Sequence, residues 1–264
     1  ATALNTDLIE LMTANSRSPR NMRGDLEAQI AGCRTGEPRL RAIFEARDAD
    51  TVNRGIDALL DYAEHLTRLA IERMPDGEYT FSDWLDDDGL SPDSDPVEIR
   101  VTLRVTGSDV EFDFTGSAPQ VKAAINCVPS STLSAVYYAI RALTGDAAPN
   151  NDGCNRPIST VLPTGSIVNP VFPAPVAARS VTMCRVADAV LGAMAKALPK
   201  QWTAAGCGYG NVIPVSGFDE RSQRRYIGIL GGPLRGGMGA RPTKDGNDVC
   251  DHEVSNSSHI PIEV

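Results

Sequence analysis

"VEIRVTLRVTGSDVEFDFTGS", residues 97–117, alternates apolar and polar side chains almost without a break. Val97, Ile99, Val101, Leu103 and Val105 face one way, and Glu98, Arg100, Thr102 and Arg104 the other. A period of two marks a half-buried β-strand. Gly107, Ser108 and Asp109 turn the chain, and the alternation resumes through Glu111, Phe112, Asp113 and Phe114. Upstream, Pro75, Asp76 and Gly77 form another turn, followed by Tyr79, Phe81 and Trp84 at near-alternate positions. The pattern predicts a β-meander of at least three strands.

On either side of this meander the period lengthens to that of a helix. Residues 4–15 carry Leu4, Leu8, Ile9, Leu11 and Met12 at helical spacing, with Asn5 or Thr6 as the cap. A longer helix runs from about Arg23 to Arg47. The next one places Ile56, Leu59, Leu60, Ala63, Leu66, Leu69 and Ala70 on one apolar stripe. Downstream, "SSTLSAVYYAIRAL" (130–143) reads as a serine-capped helix and "SVTMCRVADAVLGAMAKALP" as a second that ends at Pro199. The expected fold is therefore α+β. It has a helical N-terminal region, residues 1–74, followed by an α+β domain, residues 75–264. That domain combines a mixed, mainly antiparallel sheet with packed helices and long Gly/Pro-rich loops.

A net charge of −9 argues against nucleic acid or an anionic membrane as the main partner, because both require a basic face. No apolar run approaches the roughly 18 residues of a membrane span. Six evenly scattered cysteines without a CxxC pair read as reduced, buried thiols of a cytoplasmic protein. Neither terminus carries a start or stop signal, so both are read as cuts through a longer protein.

Sixteen residues, "GGPLRGGMGARPTKDG" (231–246), hold six glycines and two prolines. The run lacks the GK[ST] of a phosphate-binding P-loop, and "GCGYGN" (206–211) lacks the spacing of a dinucleotide fingerprint. What remains is an ordered loop that another group approaches closely. Gly236, Gly237 and Gly239 are expected at a subunit or domain contact near the reaction chamber. The acidic "DWLDDDG" (83–89) has no EF-hand spacing and reads as a solvated hairpin tip.

Asp113 lies on the strand face opposite Phe112 and Phe114, either as an exposed charge or as an acid, base or orienting group running into the turn at Thr115. Asn126 and Asn151 offer amides able to hold a carbonyl or imide edge. Arg179 closes "PAPVAAR" immediately before a long helix and could clamp a carboxylate or phosphoryl oxygen, or serve only in a flanking salt bridge. Arg241 flanks the glycine run. Cys127 has no His nearby in sequence to activate it.

Taken together, "RSPRNMRGDLEAQIAGCRTGEPRL", "MPDGEY", "VEFDFTGSAPQV", "AIN", "PNNDGCNRPI", "LPTGSIVNP", "PAPVAAR", "GGMGAR" and "DG" occur in the order found in one family. The chain resembles the B-type subunits of hydantoinases and the C-terminal half of 5-oxoprolinase, relatives of acetone and acetophenone carboxylase subunits. The resemblance implies a B-type subunit of an ATP-dependent complex that opens a cyclic amide: a hydantoin, 5-oxoproline or a lactam. ATP and Mg²⁺ would sit on a partner A-type subunit within a hetero-oligomer. A ketone carboxylase subunit is the alternative, and a non-catalytic assembly module a third. Catalytic roles are expected for Asp113, Asn126 and Arg179, and substrate contacts for Thr115, Asn151 and Arg241. Family members carry a metal-binding His/Asp segment that this chain lacks. His65, His252 and His259 do not reproduce its spacing, so no metal is expected on this chain.

Overall fold

The computed structural model describes residues 4–208, 212–231 and 237–246. Eleven helices and strands follow one another among them: α1 (Thr6–Ala14), α2 (Pro19–Ala46), α3 (Ala49–Ile71), β1 (Gly77–Leu85), β2 (Val97–Thr106), β3 (Asp109–Asp113), α4 (Pro129–Thr144), β4 (Ile158–Val161), α5 (Arg179–Ala197), β5 (Val212–Asp219) and β6 (Arg224–Gly231). Short 3₁₀ turns at Gly145–Ala147 and Asp152–Asn155 interrupt the stretch after α4. The fold is α+β, as the alternation predicts.

Contacts divide the chain into two compact units, 1–59 and 60–264, and the division falls within α3. In the first unit Asn5 caps α1, its Oδ1 accepting from the Leu8 amide at 3.1 Å. Pro19 occupies the first turn of α2, where a missing N–H costs nothing. α2 packs against α1, yet none of its 28 residues is buried. It also carries Pro38 and three glycines in its interior, which together disfavour the helix by roughly 6 kcal/mol relative to alanine. The apolar stripe read on α3 is only partly used: Ala63 and Ala70 are buried, whereas Ile56 and Leu59 remain half exposed.

The second unit is built on a four-stranded sheet in the order β1-β2-β3-β4. The first two pairings are antiparallel, and β4 adds parallel to β3. Each residue of β1 faces one of β2, from Gly77 opposite Val105 to Leu85 opposite Val97. This register sends Val97, Ile99, Val101, Leu103 and Val105, with Val110 and Phe112, into one buried face. α5 packs directly on β1 and β2, and α4 packs on α5. Met194, Val186, Val190, Val136 and Ile140 from these helices complete the core. Each large side chain buried here contributes roughly 1.5–3 kcal/mol.

The start of α4 differs from the sequence reading. Its cap is Val128 with Pro129 in the first turn, and no serine hydroxyl bonds the exposed amides. Proline is already preset for a first helical turn, so the hydroxyl cap is dispensable. β5 and β6 form a separate two-stranded hairpin. The thiols also divide: Cys127, Cys154 and Cys184 are buried, while Cys33 and Cys207 are exposed.

Candidate functional site

The outward face of the sheet is polar because every second residue of β2 and β3 is polar. Arg104 stands at its centre. Its guanidinium meets Glu78 at 2.9 Å, Asp113 at 3.1 Å and Glu111 besides. Asp113 is mostly covered, its side chain 14% exposed. Burial alone would raise its carboxyl, but the Thr115 hydroxyl and amide and the Arg104 charge outweigh that and hold it below the usual aspartate range. The structure thus brings Asp113 and Thr115 together, as the strand running into its turn leads one to expect. An aspartate held ionised in this way can accept a hydrogen bond or orient a partner, but it is a poor proton donor near neutral pH.

Asn126 and Arg179 lie where the loop after β3 meets the start of α5. Asn126 is fully buried. Its Nδ2 donates to the carbonyls of Val121 (2.8 Å), Ala123 (3.0 Å) and Pro175 (2.9 Å), while Oδ1 accepts from the Val121 amide at 2.9 Å. Both amide hydrogens are spent on the chain's own backbone. One side chain therefore ties residues 121–123 to residue 175, across a gap in sequence that no local propensity bridges. Neighbouring bonds reinforce the junction: the Ala178 amide donates to Ala124, and the Thr182 hydroxyl donates to Ile125.

Arg179, the first residue of α5, is exposed, and its guanidinium makes no ion pair among the described residues. It adds a full positive charge to the positive end of the helix, a setting that favours an anion. Cys127 sits close enough to feel that charge. Burial pushes its thiol up to about 11, against the lowering by the Thr132 hydroxyl and Arg179. At neutral pH it is a thiol, not a nucleophilic thiolate.

Asn151 begins a 3₁₀ turn, its Oδ1 accepting from the Gly153 amide at 2.9 Å. Gly153 lies against α3 so closely that a Cβ there would sit 2.0 Å from the Leu60 carbonyl oxygen. Arg156 then fastens the same loop to Asp61 (2.7 Å) and Glu64 (3.0 Å) of α3. No hydrogen bond or ion pair joins Asn151 to Asp113 or to Asn126 among the described residues.

In the glycine run, Gly239 is buried, and a Cβ on it would fall 1.7 Å from the Ala204 carbonyl oxygen. The Ala204 amide donates to Ala240, and that of Cys207 to Gly237, so this backbone packs against residues 204–207 of the same chain. Arg241 is exposed and bonded through its backbone to Lys244. Gly236 lies outside the described residues.

Sequence reasoning misses Arg185. It pairs with Asp83 at 3.1 Å and with the nearly buried Asp188, at the edge of a cleft of about 380 Å³ lined by Trp84, Ile125 and Val181. A lone aspartate in the apolar run "RVADAV" is the available signal, because a buried carboxylate needs a cation. Among the described residues no three His, Cys, Asp or Glu side chains converge as metal ligands. No helix among the described residues is long and apolar enough to cross a membrane.

The sequence fits the model of the hydantoinase B/oxoprolinase family. The family model matches residues 1–264, and the chain belongs to that family. It is 37% identical over 263 residues to a protein of Pseudomonas sp. (strain NS671) provisionally named as the B-type subunit of a D-/L-hydantoinase, covering 96% of this chain and 44% of that protein. Among solved structures it resembles the ATP-dependent caprolactamase from Pseudomonas jessenii, with a TM-score of 0.84 and 28% identity over 95% of this chain and 43% of that one. A nucleotide-free acetone carboxylase shares the fold alone, with a TM-score of 0.80 at 14% identity over 97% of this chain and 36% of that one. The chain spans less than half the length of the curated relatives it matches.

Proposed function

We propose that this chain is part of a B-type subunit of a cytoplasmic, ATP-dependent cyclic amide hydrolase acting on a hydantoin, 5-oxoproline or lactam-like ring. ATP and Mg²⁺ bind a partner A-type subunit, which phosphorylates the ring carbonyl oxygen. The B-type subunit supports opening of the activated ring. The observation that carries this reading is the agreement, over 95% of the chain, with the structure of an ATP-dependent caprolactamase. The 37% identity to a protein named as part of a hydantoinase adds support from a second ring type.

In this reading Arg179 is the residue placed to meet a phosphorylated intermediate, because its charge is exposed and uncommitted at a helix N-terminus. Asp113, Thr115, Asn151 and Arg241 are the proposed polar contacts, while Asn126 holds the loop that leads to Arg179. Ketone carboxylation is the second reading, favoured only by the shared fold of acetone carboxylase at 14% identity. Product analysis of the complete complex with ATP decides between them. Ring-opened acid from hydantoin, 5-oxoproline or caprolactam supports the hydrolase. A carboxylated ketone formed from ketone and bicarbonate supports the alternative.

A further inference from the structure

We propose that Thr182 is a positioning residue: its hydroxyl holds the first turn of α5 where Arg179 can serve the reaction. The inference rests on the reading that Arg179 meets the phosphorylated intermediate, and it carries that reading to a side chain buried too deeply to touch a substrate. Thr182 is wholly buried. A threonine inside a helix ordinarily turns its hydroxyl back to a carbonyl of the same helix. Thr67 does so towards Ala63, at 2.9 Å. The Thr182 hydroxyl instead leaves its helix and donates to the Ile125 carbonyl.

That bond falls where apolar packing holds little. None of residues 171–180 is buried, so the approach to α5 is not fixed by a core. The helix cap is Ala178, whose side chain has no oxygen to offer the free amides of the first turn. Hydrogen bonds to residues 124–126 fix the junction instead. Asn126 donates to the Pro175 carbonyl at 2.9 Å, and the Ala178 amide donates to the Ala124 carbonyl at 2.8 Å. The bond from Thr182 is the third. Asn126 thus secures the chain ahead of Arg179, and Thr182 secures it three residues behind, on the same side of the helix. The Arg179 guanidinium makes no ion pair among the described residues, so its place follows that of the turn.

Without the hydroxyl, α5 still packs on β1, β2 and α4, so the helix persists while its first turn loses a tie. Misplacement on the order of 1 Å can cost about a hundredfold in rate. Negative charge reaches the ring oxygen only once it is phosphorylated. A displaced Arg179 therefore slows turnover and leaves binding of the unmodified ring unchanged.

Kinetics of the complete complex with ATP and hydantoin, 5-oxoproline or caprolactam test the role in a double-mutant cycle. Thr182→Val keeps the volume but not the hydroxyl, and is expected to lower kcat about tenfold with KM for the ring within about twofold of wild type. Thr182→Ser keeps the hydroxyl and should retain the wild-type kcat. In an Arg179→Gln background, Thr182→Val should change kcat by less than about twofold, because its route to the reaction is already gone. Thr182→Ala repeats the test should the valine variant not fold, since it sets no methyl against the Ile125 oxygen. Several results would overturn the positioning role and leave the reading of Arg179 standing: full activity without the hydroxyl, a loss carried by KM, an equal loss in the Arg179→Gln background, a serine variant as impaired as the valine one, or valine and alanine variants that both fail to fold. Undiminished turnover by Arg179→Gln, or a complete complex that opens none of the rings, would remove that reading and the positioning role with it.

Discussion

Replacing Asn126 with alanine separates a structural from a catalytic role at this position. The side chain is fully buried, and its amide serves three carbonyls and one N–H within 3.0 Å. Alanine supplies none of these partners. A buried polar group left unsatisfied costs about 1–3 kcal/mol, and water admitted to the gap recovers part of that. With four backbone groups affected, the expected loss is about 3–6 kcal/mol. That is a large share of the roughly 5–15 kcal/mol by which a domain is stable. Urea unfolding of the complete subunit at neutral pH measures it. With a slope of about 2 kcal/mol per molar, the midpoint should fall by roughly 2 M. A variant that unfolds within about 0.5 kcal/mol of wild type yet has lost turnover would refute the reasoning and place the amide on the substrate.

Gly153→Ala should destabilise by about 3 kcal/mol, since the new methyl meets the Leu60 carbonyl, backbone that cannot swing aside; a lowered melting temperature measures this, and an unchanged one contradicts the close approach. Acid should weaken the fold for a stated reason. Asp113 lies below its ordinary range despite burial, through Thr115 and Arg104, and Glu64 lies below its own through Arg156 and Arg68. Carboxyls depressed in the folded state stabilise fully above their unfolded values, here 3.8 and 4.5, and lose that contribution as pH falls through the folded ones. Unfolding midpoints should therefore hold steady from pH 7 to about 5 and drop below about 4, a fall that Asp113→Asn diminishes. A thiol reagent at neutral pH should modify Cys33 and Cys207 promptly and Cys127 only after unfolding, which peptide mapping of the labelled chain reads directly.

The sheet is legible in the sequence because alternation is a local signal and its consequence, one buried face, is global. Val97 to Val105 need no partner to be recognised as a strand, and the opposite placement of Asp113 and Phe112 follows from the same period. α4 and α5 are equally legible from their apolar spacing. The stripe on α3 misleads because periodicity says which side of a helix is apolar but not what covers it, and Ile56 and Leu59 remain half exposed. Asn126 stands out for its chemistry, but its role depends on Pro175, 49 residues away, and no local pattern announces that pairing. Arg104 is within reach, since the alternation places it on the face of Asp113; the register that makes them partners requires the hairpin itself. Crowded glycines signal close approach, and Gly239 against Ala204 supplies one such approach from within the chain.

That this chain serves ATP-driven opening of a cyclic amide is tested most directly by an omission experiment. The complete subunit and the proposed ATP-binding partner are incubated with ATP, Mg²⁺ and hydantoin, 5-oxoproline or caprolactam, together and singly, and ring-opened acid and ADP are quantified by mass spectrometry. Ring-opened acid is expected from at least one of these rings only when both subunits and ATP are present. Ring opening that proceeds equally without this subunit, or a complete complex that opens none of the rings yet carboxylates a ketone with bicarbonate, would contradict it.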